Sequence, residues 1–161
     1  MEPLVSYQDR EPSTAACPKK WIDASFVDMG CLLFNSTRAM DWEHANLYCQ
    51  GAPNATLVEI MTEKQLAFVQ MEAKFLGDHE GKRHWWTSGT DVGVDGVWMW
   101  ATSYTPVEEF MWDKGYPVSS RDRNCMMLNH DHQFLGYNYA CEHCSLFTEQ
   151  DTVVHPICQK K

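Results

Sequence analysis

The chain has 161 residues, a length that fits one domain with a single core of ordinary size. Its formal net charge of −9, from 13 basic and 22 acidic side chains, argues against a nucleic-acid partner, because phosphate binding needs a basic surface. The sequence has no run of about 18 apolar residues, so we expect no membrane span.

Residues 1–16 are polar and contain proline, a composition that predicts a disordered tail before a single domain at 17–161. This segment lacks the apolar stretch of a signal peptide. It is typical of the start of a mature or recombinant chain.

The cysteines indicate the redox environment in which the protein folds. A structural zinc site normally needs two close cysteine pairs, but only Cys141 and Cys144 form a C-x-x-C pair, so disulfides in an oxidising compartment fit better. Two N-glycosylation sequons, at Asn35 and Asn54, agree with a secreted, extracellular glycoprotein. The seven cysteines are Cys17, Cys31, Cys49, Cys125, Cys141, Cys144 and Cys158.

A strand and a helix are predicted first. Residues 31–34 (CLLF) predict the strand. Asp41 can accept a backbone N–H at the start of the helix, and Trp42, Ala45 and Cys49 recur on one buried face.

A second helix follows a strand predicted at residues 56–60. Thr62 and Gln65 form a capping box, in which the Gln65 side chain reaches back to the N-cap amide, and Gly77 is expected to end the helix. Its apolar positions at helical spacing are Leu66, Val69, Ala73 and Leu76.

Strands dominate the second half of the chain. Asp95-Gly96 predicts a turn between two of them, while residues 102–124 have no sustained periodicity. Because helices come first and strands later, the fold class is α+β rather than alternating βαβ. The predicted strands are 84–88, 97–101, 125–128 and 156–159.

Several motifs together resemble the long-form C-type lectin-like domain over residues 17–158. The segment WWTSGTDVGVDG at 85–96 is similar to secreted arthropod-type members. The resemblance implies two helices flanking short antiparallel sheets, and a long irregular ligand loop. The motifs are CPKKW at 17–21, WEHA at 42–45 with Cys49, WTSG at 86–89 and GVWMW at 96–100.

The resemblance also implies disulfide pairing. It leaves Cys144 over, either as a buried free thiol or as a bridge between two subunits of a disulfide-linked dimer. The implied pairs are Cys17–Cys31, Cys49–Cys158 and Cys125–Cys141.

Sugar-binding members hold calcium with side-chain oxygens around a landmark proline, which corresponds here to Pro117. The flanking positions are Tyr116 and Val118, and Arg123 stands where an acidic ligand belongs; only Asn138 keeps a usable oxygen. A millimolar calcium site is worth about 4 kcal/mol, and one carboxylate contact contributes about that much. We therefore expect no principal calcium site.

An auxiliary calcium site is a separate question. Asp91 and Asp95 match acidic positions that some members use for a second ion, but Ser119 replaces a further acidic partner. One interpretation is a turn whose acids face water, and the other is a weak calcium site.

Other candidate chemistry is weak. His130-Asp131-His132 could suggest a metal clip, but one histidine pair is not a full coordination shell, and an exposed polar turn fits better. No activating constellation surrounds any candidate nucleophile. We predict no enzyme activity and no cofactor.

The aromatic residues divide into two groups. Motif tryptophans are expected in the core, whereas those of the loop face either bind a ligand by stacking or fill the space vacated by the metal. The expected core set is Trp21, Trp42, Trp86, Trp98 and Trp100. The candidate ligand-binding set is Trp112, Tyr116, Tyr137 and Tyr139, with Arg121, Arg123 and Asn138 as polar contributors.

The sequence therefore predicts a secreted, non-catalytic recognition domain. Its ligand would be a carbohydrate, such as a microbial or cell-surface glycan recognised in innate immunity, bound without calcium. The alternatives are a protein-binding module and an ice-binding protein. The charged 121–123 run fits poorly with a flat ice-binding surface.

Overall fold

The computed structural model describes residues 17–143 and 153–161, and the structural statements below concern those residues. The predicted tail 1–16 and Cys144 lie outside them. The helices are α1 (Trp42–Gln50) and α2 (Glu63–Glu80). The strands are β1 (Ile22–Asp23), β2 (Cys31–Phe34), β3 (Ala55–Leu57), β4 (His84–Val94), β5 (Val97–Trp100), β6 (Cys125–Asn129), β7 (Leu135–Tyr139) and β8 (Val154–Lys160).

The C-terminal strand β8 joins the two parts of the sheet. It pairs antiparallel with β2 and β3, and parallel with the start of β4. Strand β4 also pairs antiparallel with β5 and β6, and β7 continues the sheet beside β6. The α+β prediction is confirmed, although the parallel β4–β8 pair makes the sheet mixed rather than purely antiparallel.

Helix α1 forms as the sequence predicts. The Asp41 carboxylate accepts a hydrogen bond from the His44 amide at 2.8 Å and caps the first turn. Ala45 and Cys49 are buried on one face, while Trp42 is half-buried and donates its indole N–H to the Thr87 carbonyl at 2.8 Å. The helix is thus fixed against β4 from its first residue.

Helix α2 begins as predicted, but its capping box is different. The Thr62 hydroxyl accepts from the Gln65 amide at 3.1 Å. The Gln65 side chain does not bond the Thr62 amide; its Oε1 accepts from the Met61 amide at 2.7 Å and its Nε2 donates to the Val27 carbonyl at 2.9 Å. Gln65 therefore joins the helix start to the segment before β2.

The prediction that Gly77 ends α2 is wrong. The helix continues to Glu80, and Gly81 follows at φ 111°, a backbone conformation that favours glycine. A glycine inside a helix costs only about 1 kcal/mol, which packing can offset. A Cβ at Gly77 would lie 3.4 Å from His130 Nε2, an ordinary van der Waals contact, so the neighbouring turn does not require a glycine here.

Several strand boundaries differ from the predictions: β4 continues to Val94 and β8 begins at Val154, and β1 was not predicted. The predicted strand at 56–60 is shorter in the structure, because β3 ends at Leu57. Strand β7 was not predicted: its buried positions are Gly136 and Asn138, so it shows no apolar alternation. The backbone at Met111 packs closely on Gly136, since an added Cβ would meet the Met111 carbonyl oxygen at 2.9 Å.

Three disulfides fasten the fold, and they are the pairs that the resemblance implies. The longest closure, between α1 and β8, spans a sequence separation of 109 residues. The others close separations of 14 and 16 residues. They are Cys17–Cys31, Cys49–Cys158 and Cys125–Cys141.

Buried apolar side chains form two clusters, one beneath α2 and one around the Cys49–Cys158 disulfide. Of the motif tryptophans, Trp86, Trp98 and Trp100 are buried, whereas Trp21 and Trp42 are half-buried at the edge of the second cluster. Neither helix in the described part of the chain is long and apolar enough to cross a membrane.

Candidate functional site

The long loop, residues 101–124 between β5 and β6, passes over β7. A short 3-10 turn at Glu109–Met111 precedes its contact with β7, where Trp112 bridges to Gly136 and the Asp113 amide donates to the Gly136 carbonyl at 3.2 Å. The peptide bond before Pro117 is cis. The rest of the loop forms few backbone hydrogen bonds with neighbouring strands, so side chains must fix its conformation.

Asn138 on β7 holds the loop backbone at two positions, Val118 and Arg123, which we call the two arms of the loop. Its Oδ1 accepts from the Val118 amide at 2.9 Å, and its Nδ2 donates to the Val118 carbonyl at 2.8 Å and the Arg123 carbonyl at 3.2 Å. The side chain is 1% exposed. Both amide protons and one acceptor position are therefore engaged inside the protein.

The prediction that Asn138 contacts a ligand is therefore corrected. Its amide is buried and bonded to the loop backbone. The same contacts bear on the principal calcium site. The one side-chain oxygen left at that site, Asn138 Oδ1, already accepts from the Val118 amide. Tyr116, Val118 and Arg123 supply no carboxylate. Calcium requires about six to eight oxygens, so these residues do not fit the ion.

Four side chains form what we call the loop platform: Tyr116, Tyr137, Asp113 and His132. The Tyr116 ring stacks on the Tyr137 ring, with centroids 3.8 Å apart and planes at 27°. The Tyr137 hydroxyl donates to Asp113 Oδ2 at 2.9 Å, and His132 Nδ1 lies 3.4 Å from the same oxygen. Burial and the bonded Asp113 carboxylate raise the pKa of Tyr137 well above its usual range, so the phenol stays protonated.

Two residues of this platform were not identified from the sequence as site residues. Asp113 follows Trp112 in a segment without periodicity, and His132 was assigned to an exposed polar turn. The turn is present, as the 3-10 segment His130–His132 after β6, and His132 keeps 51% of its side chain exposed. Only the three-dimensional pairing of the loop with β7 brings these side chains together.

The remaining predicted aromatics lie away from the platform surface. Trp112 packs edge-to-face on Trp98, with ring centroids 5.0 Å apart, and joins the core cluster beneath α2. Tyr139 packs near the Cys125–Cys141 disulfide, in the second cluster. These two residues therefore fill the core side of the loop, as the alternative interpretation of the aromatics expects.

Arg121 and Arg123 are exposed and are held by their backbones. The Arg121 carbonyl accepts from Asn124 Nδ2 at 2.9 Å, and the Arg123 carbonyl accepts from Asn138. Neither guanidinium forms an ion pair within 4.0 Å of an acid in the described ranges 17–143 and 153–161. Their backbones are therefore held, and both side chains are exposed.

Asp91 and Asp95 lie at the β4–β5 turn in different environments. Asp95 is exposed, but Asp91 is 4% exposed, which corrects the expectation that both acids face water. Asp91 Oδ2 accepts from the Gly96 amide at 2.8 Å, and its Oδ1 has no hydrogen-bond partner among the described residues. Burial raises the pKa of Asp91.

The possible donors for an auxiliary calcium ion at this turn are the carboxylates of Asp91 and Asp95 and the side-chain amide of Asn124. A cavity of about 350 Å³ is lined by Asp91 and Asp95, but Arg121 lines it as well and brings a positive charge. No cluster of three or more His, Cys, Asp or Glu side chains suited to a metal occurs in the described part of the chain. The geometry favours the turn, with Asp91 closing it.

The two sequons are not equivalent. Asn35 is 8% exposed, and its Oδ1 accepts from the Thr37 amide at 3.0 Å and the Thr37 hydroxyl at 2.9 Å. Asn54 is exposed just before β3. The structure therefore leaves room for a glycan at Asn54 and argues against the predicted one at Asn35.

Comparison with known proteins gives a match to one family model. The model described as the Lectin C-type domain matches residues 38–147, which include α1, α2, the long loop and β7.

Solved structures share the fold. Human lithostathine is 25% identical, with a TM-score of 0.72 over 90% of this chain and 99% of that one. The mouse Scavenger Receptor C-type Lectin carbohydrate-recognition domain is 21% identical, with a TM-score of 0.70 over 90% and 96%. A calcium-independent type II antifreeze protein is 20% identical, with a TM-score of 0.68 over 89% and 93%.

Proposed function

Since the chain belongs to the C-type lectin domain family, we propose that it is a secreted recognition domain that binds a glycan through its long-loop face without calcium. Domains of this family are in general non-catalytic binding modules. The proposed binding unit is residues 17–161, and the proposed contacts are Tyr116, Tyr137, Arg121 and Arg123.

The proposal of calcium-independent binding is supported mainly by the contacts of the Asn138 side chain with the loop backbone. Three hydrogen bonds from one buried amide fix Val118 and Arg123, on the two arms of the loop. Each such bond contributes about 0.5–1.5 kcal/mol net, and leaving the buried groups unpaired would cost more. The binding face is thus preorganised by protein groups, and no ion is needed to shape it.

The proposed binding mode is stacking supported by charged hydrogen bonds. Tyr116 is half-buried and held against Tyr137, so it presents a ring of fixed orientation at little entropic cost. A saccharide ring can pack on such a face while Arg121 or Arg123 donates to its oxygens. This mode replaces the metal-bound hydroxyls of calcium-dependent relatives.

Secretion is supported by the disulfides. Three disulfides in one domain suit an oxidising compartment, and the exposed sequon at Asn54 is compatible with glycosylation there. The resemblance of residues 85–96 to secreted arthropod-type members supports a role in recognising microbial or cell-surface glycans. Cys144 is either a free thiol or a bridge between two subunits, and non-reducing electrophoresis distinguishes the two.

A glycan array probed in calcium and in EDTA tests this function. We expect the same glycans to bind in both buffers. Tyr116→Ala should abolish binding. Lys64→Ala, at an exposed position of α2, is the control and should leave binding unchanged. Calorimetric titration with calcium should show no binding near 1 mM. Loss of glycan binding in EDTA would overturn the proposal.

A protein ligand is the second candidate, favoured by an apolar surface on the β4–β5 hairpin. Val92, Val94, Val97 and Tyr104 are between 49% and 77% exposed and border a cavity of about 390 Å³. Exposed apolar patches of this kind often mark protein interfaces. Pull-down that fails with Val94→Asp but not with Tyr116→Ala would favour this alternative over glycan binding.

Ice binding is the third candidate, favoured by the likeness to antifreeze proteins of this fold. The exposed charges Arg121, Asp122 and Arg123 oppose it, because they interrupt a flat, regularly spaced surface. Thermal hysteresis in the presence of EDTA distinguishes it from both other functions.

A further inference from the structure

We propose that the ligand of the loop platform is an anionic saccharide, with its ring on Tyr116 and its sulfate or carboxylate on Arg123 and Lys114. This inference rests on the proposed function, since it assumes that the platform binds a glycan. It adds the chemical class of that glycan, which neither the fold nor the family determines.

The first step is the distribution of charge. Residues 112–124 carry three of the chain's 13 basic side chains but only two of its 22 acidic ones. One of those acids, Asp113, already accepts the Tyr137 hydroxyl and lies 3.4 Å from His132 Nδ1. A protein of net charge −9 repels anions as a whole, so a local basic segment is the place where an anionic ligand can approach.

The second step is the geometry of the two loop arms. Asn138 Nδ2 bonds the carbonyls of Val118 and Arg123 at once, which places the two backbones side by side. Tyr116 lies two residues before Val118 and stacks on Tyr137, the neighbour of Asn138. Tyr137 and Asn138 face opposite sides of β7, so the exposed Arg123 side chain starts from a backbone fixed on the Asn138 side and extends around the strand edge toward a ligand on Tyr116.

The third step separates Arg123 from Arg121. Arg121 lines the cavity that contains Asp91 and Asp95, so those acids offset its charge. Arg123 does not line that cavity. A guanidinium binds sulfate or carboxylate through two parallel hydrogen bonds, so one well-placed arginine is enough to discriminate a charged saccharide from a neutral one.

A saccharide is favoured over an acidic peptide because charge and aromatic stacking occur together. The Tyr116–Tyr137 stack offers a flat ring face, which suits the face of a pyranose. A ligand recognised only by charge would not need that face. The two requirements can be tested independently with single substitutions.

The experiment measures binding of a sulfated heparin-type oligosaccharide and of the same oligosaccharide after chemical desulfation, both in EDTA. We expect the sulfated form to bind at least about tenfold more tightly, a difference of about 1.4 kcal/mol. We also expect the preference to shrink between about 0.05 M and about 0.5 M NaCl, because exposed charges are screened.

Variants assign the preference to residues. Arg123→Ala should weaken binding of the sulfated form about 3–10-fold and weaken the desulfated form less, because a neutral hydroxyl forms a weaker hydrogen bond than a sulfate. Tyr116→Ala should weaken both forms, and Arg121→Ala should have less effect than Arg123→Ala. Lys64→Ala on α2 removes the same type of charge outside the loop and should change neither. Thermal melting of each variant verifies that it folds.

The outcomes separate this inference from the function on which it rests. Equal binding of sulfated and desulfated forms would overturn the anionic preference and leave calcium-independent glycan binding intact. Binding of neither form, or of any glycan on an array without calcium, would overturn both. Equal competition by polyglutamate, with no effect of Tyr116→Ala, would show that the ligand is not a saccharide.

Discussion

The disulfide-linked core and the long loop are stabilised by different means. In the core, α1 is joined to β8 by Cys49–Cys158, and the strands around them form regular ladders. The loop has few ladder bonds and depends on one buried amide, Asn138, and on one phenol, Tyr137. Stability in the core is spread over many groups, whereas in the loop it is concentrated in a few.

This difference has a functional consequence. Because Asn138 and Tyr137 of β7 hold the loop backbone and Asp113, the exposed side chains of the loop are not needed to keep it in place. Tyr116 and Arg123 can therefore serve recognition without being needed for folding. The predictions below test this division, from the largest expected effect to the smallest.

Removing the Cys49–Cys158 disulfide, by Cys49→Ala with Cys158→Ala, should destabilise the whole domain. Loss of this long closure should lower the free energy of unfolding by about 4 kcal/mol. Urea denaturation followed by fluorescence measures it. Removing Cys17–Cys31, which closes only 14 residues, should cost less. A larger loss from the shorter closure would contradict the chain-entropy argument.

The core should also be sensitive to acid through His155. Its side chain is 6% exposed; burial, partly offset by the hydrogen bond to the Asn35 carbonyl at 2.9 Å, lowers its pKa to about 4. The imidazole is neutral in the folded protein, so its contribution is complete above the unfolded pKa near 6.5. That contribution, about 3 kcal/mol, is lost as pH falls from 6.5 to 4.

Unfolding free energies of the wild type and His155→Gln, measured across that pH range, check this prediction. The variant has no group that titrates at this position, so the difference between the two proteins should change with pH. If the difference stays constant between pH 7 and pH 4, the burial argument for His155 is wrong.

The sequence predicted the core better than the loop. The cap at Asp41 and the buried face of α1 depend on neighbouring residues, and their pattern is visible locally. The three disulfides followed from the family resemblance. The end of α2 was misplaced because two glycines lie near it, and it is Gly81, not Gly77, that has the positive φ.

The candidate site could be predicted only in part. The absence of the principal calcium site stays a prediction from residue types around Pro117, which the calcium titration tests. The role of Asn138 was predicted incorrectly because residue type does not reveal burial. Asp113 was missed because it meets Tyr137 only after the loop lies on β7, and His132 because β7, on which its ring packs against Tyr137, was not predicted.

Asn138→Ala should loosen the loop while leaving the core folded. The change removes the three hydrogen bonds that the Asn138 side chain makes with the loop backbone, at an expected cost of about 2 kcal/mol. Amide hydrogen exchange should accelerate at residues 114–124 and remain slow in β8. Asn129→Ala, which removes one exposed cap on the Asp131 amide, is the matched control and should have a smaller effect.

Tyr137→Phe should have the smallest effect, confined to the platform. The variant keeps the stack with Tyr116 but loses the hydroxyl bond to Asp113 Oδ2, at an expected cost of about 1 kcal/mol. Tyr104→Phe removes a hydroxyl from a side chain that is 77% exposed and should leave stability unchanged. Thermal melts of the two variants compare them directly. Equal stabilities would show that the Asp113 contact does not fasten the loop, leaving Asn138 as its main support.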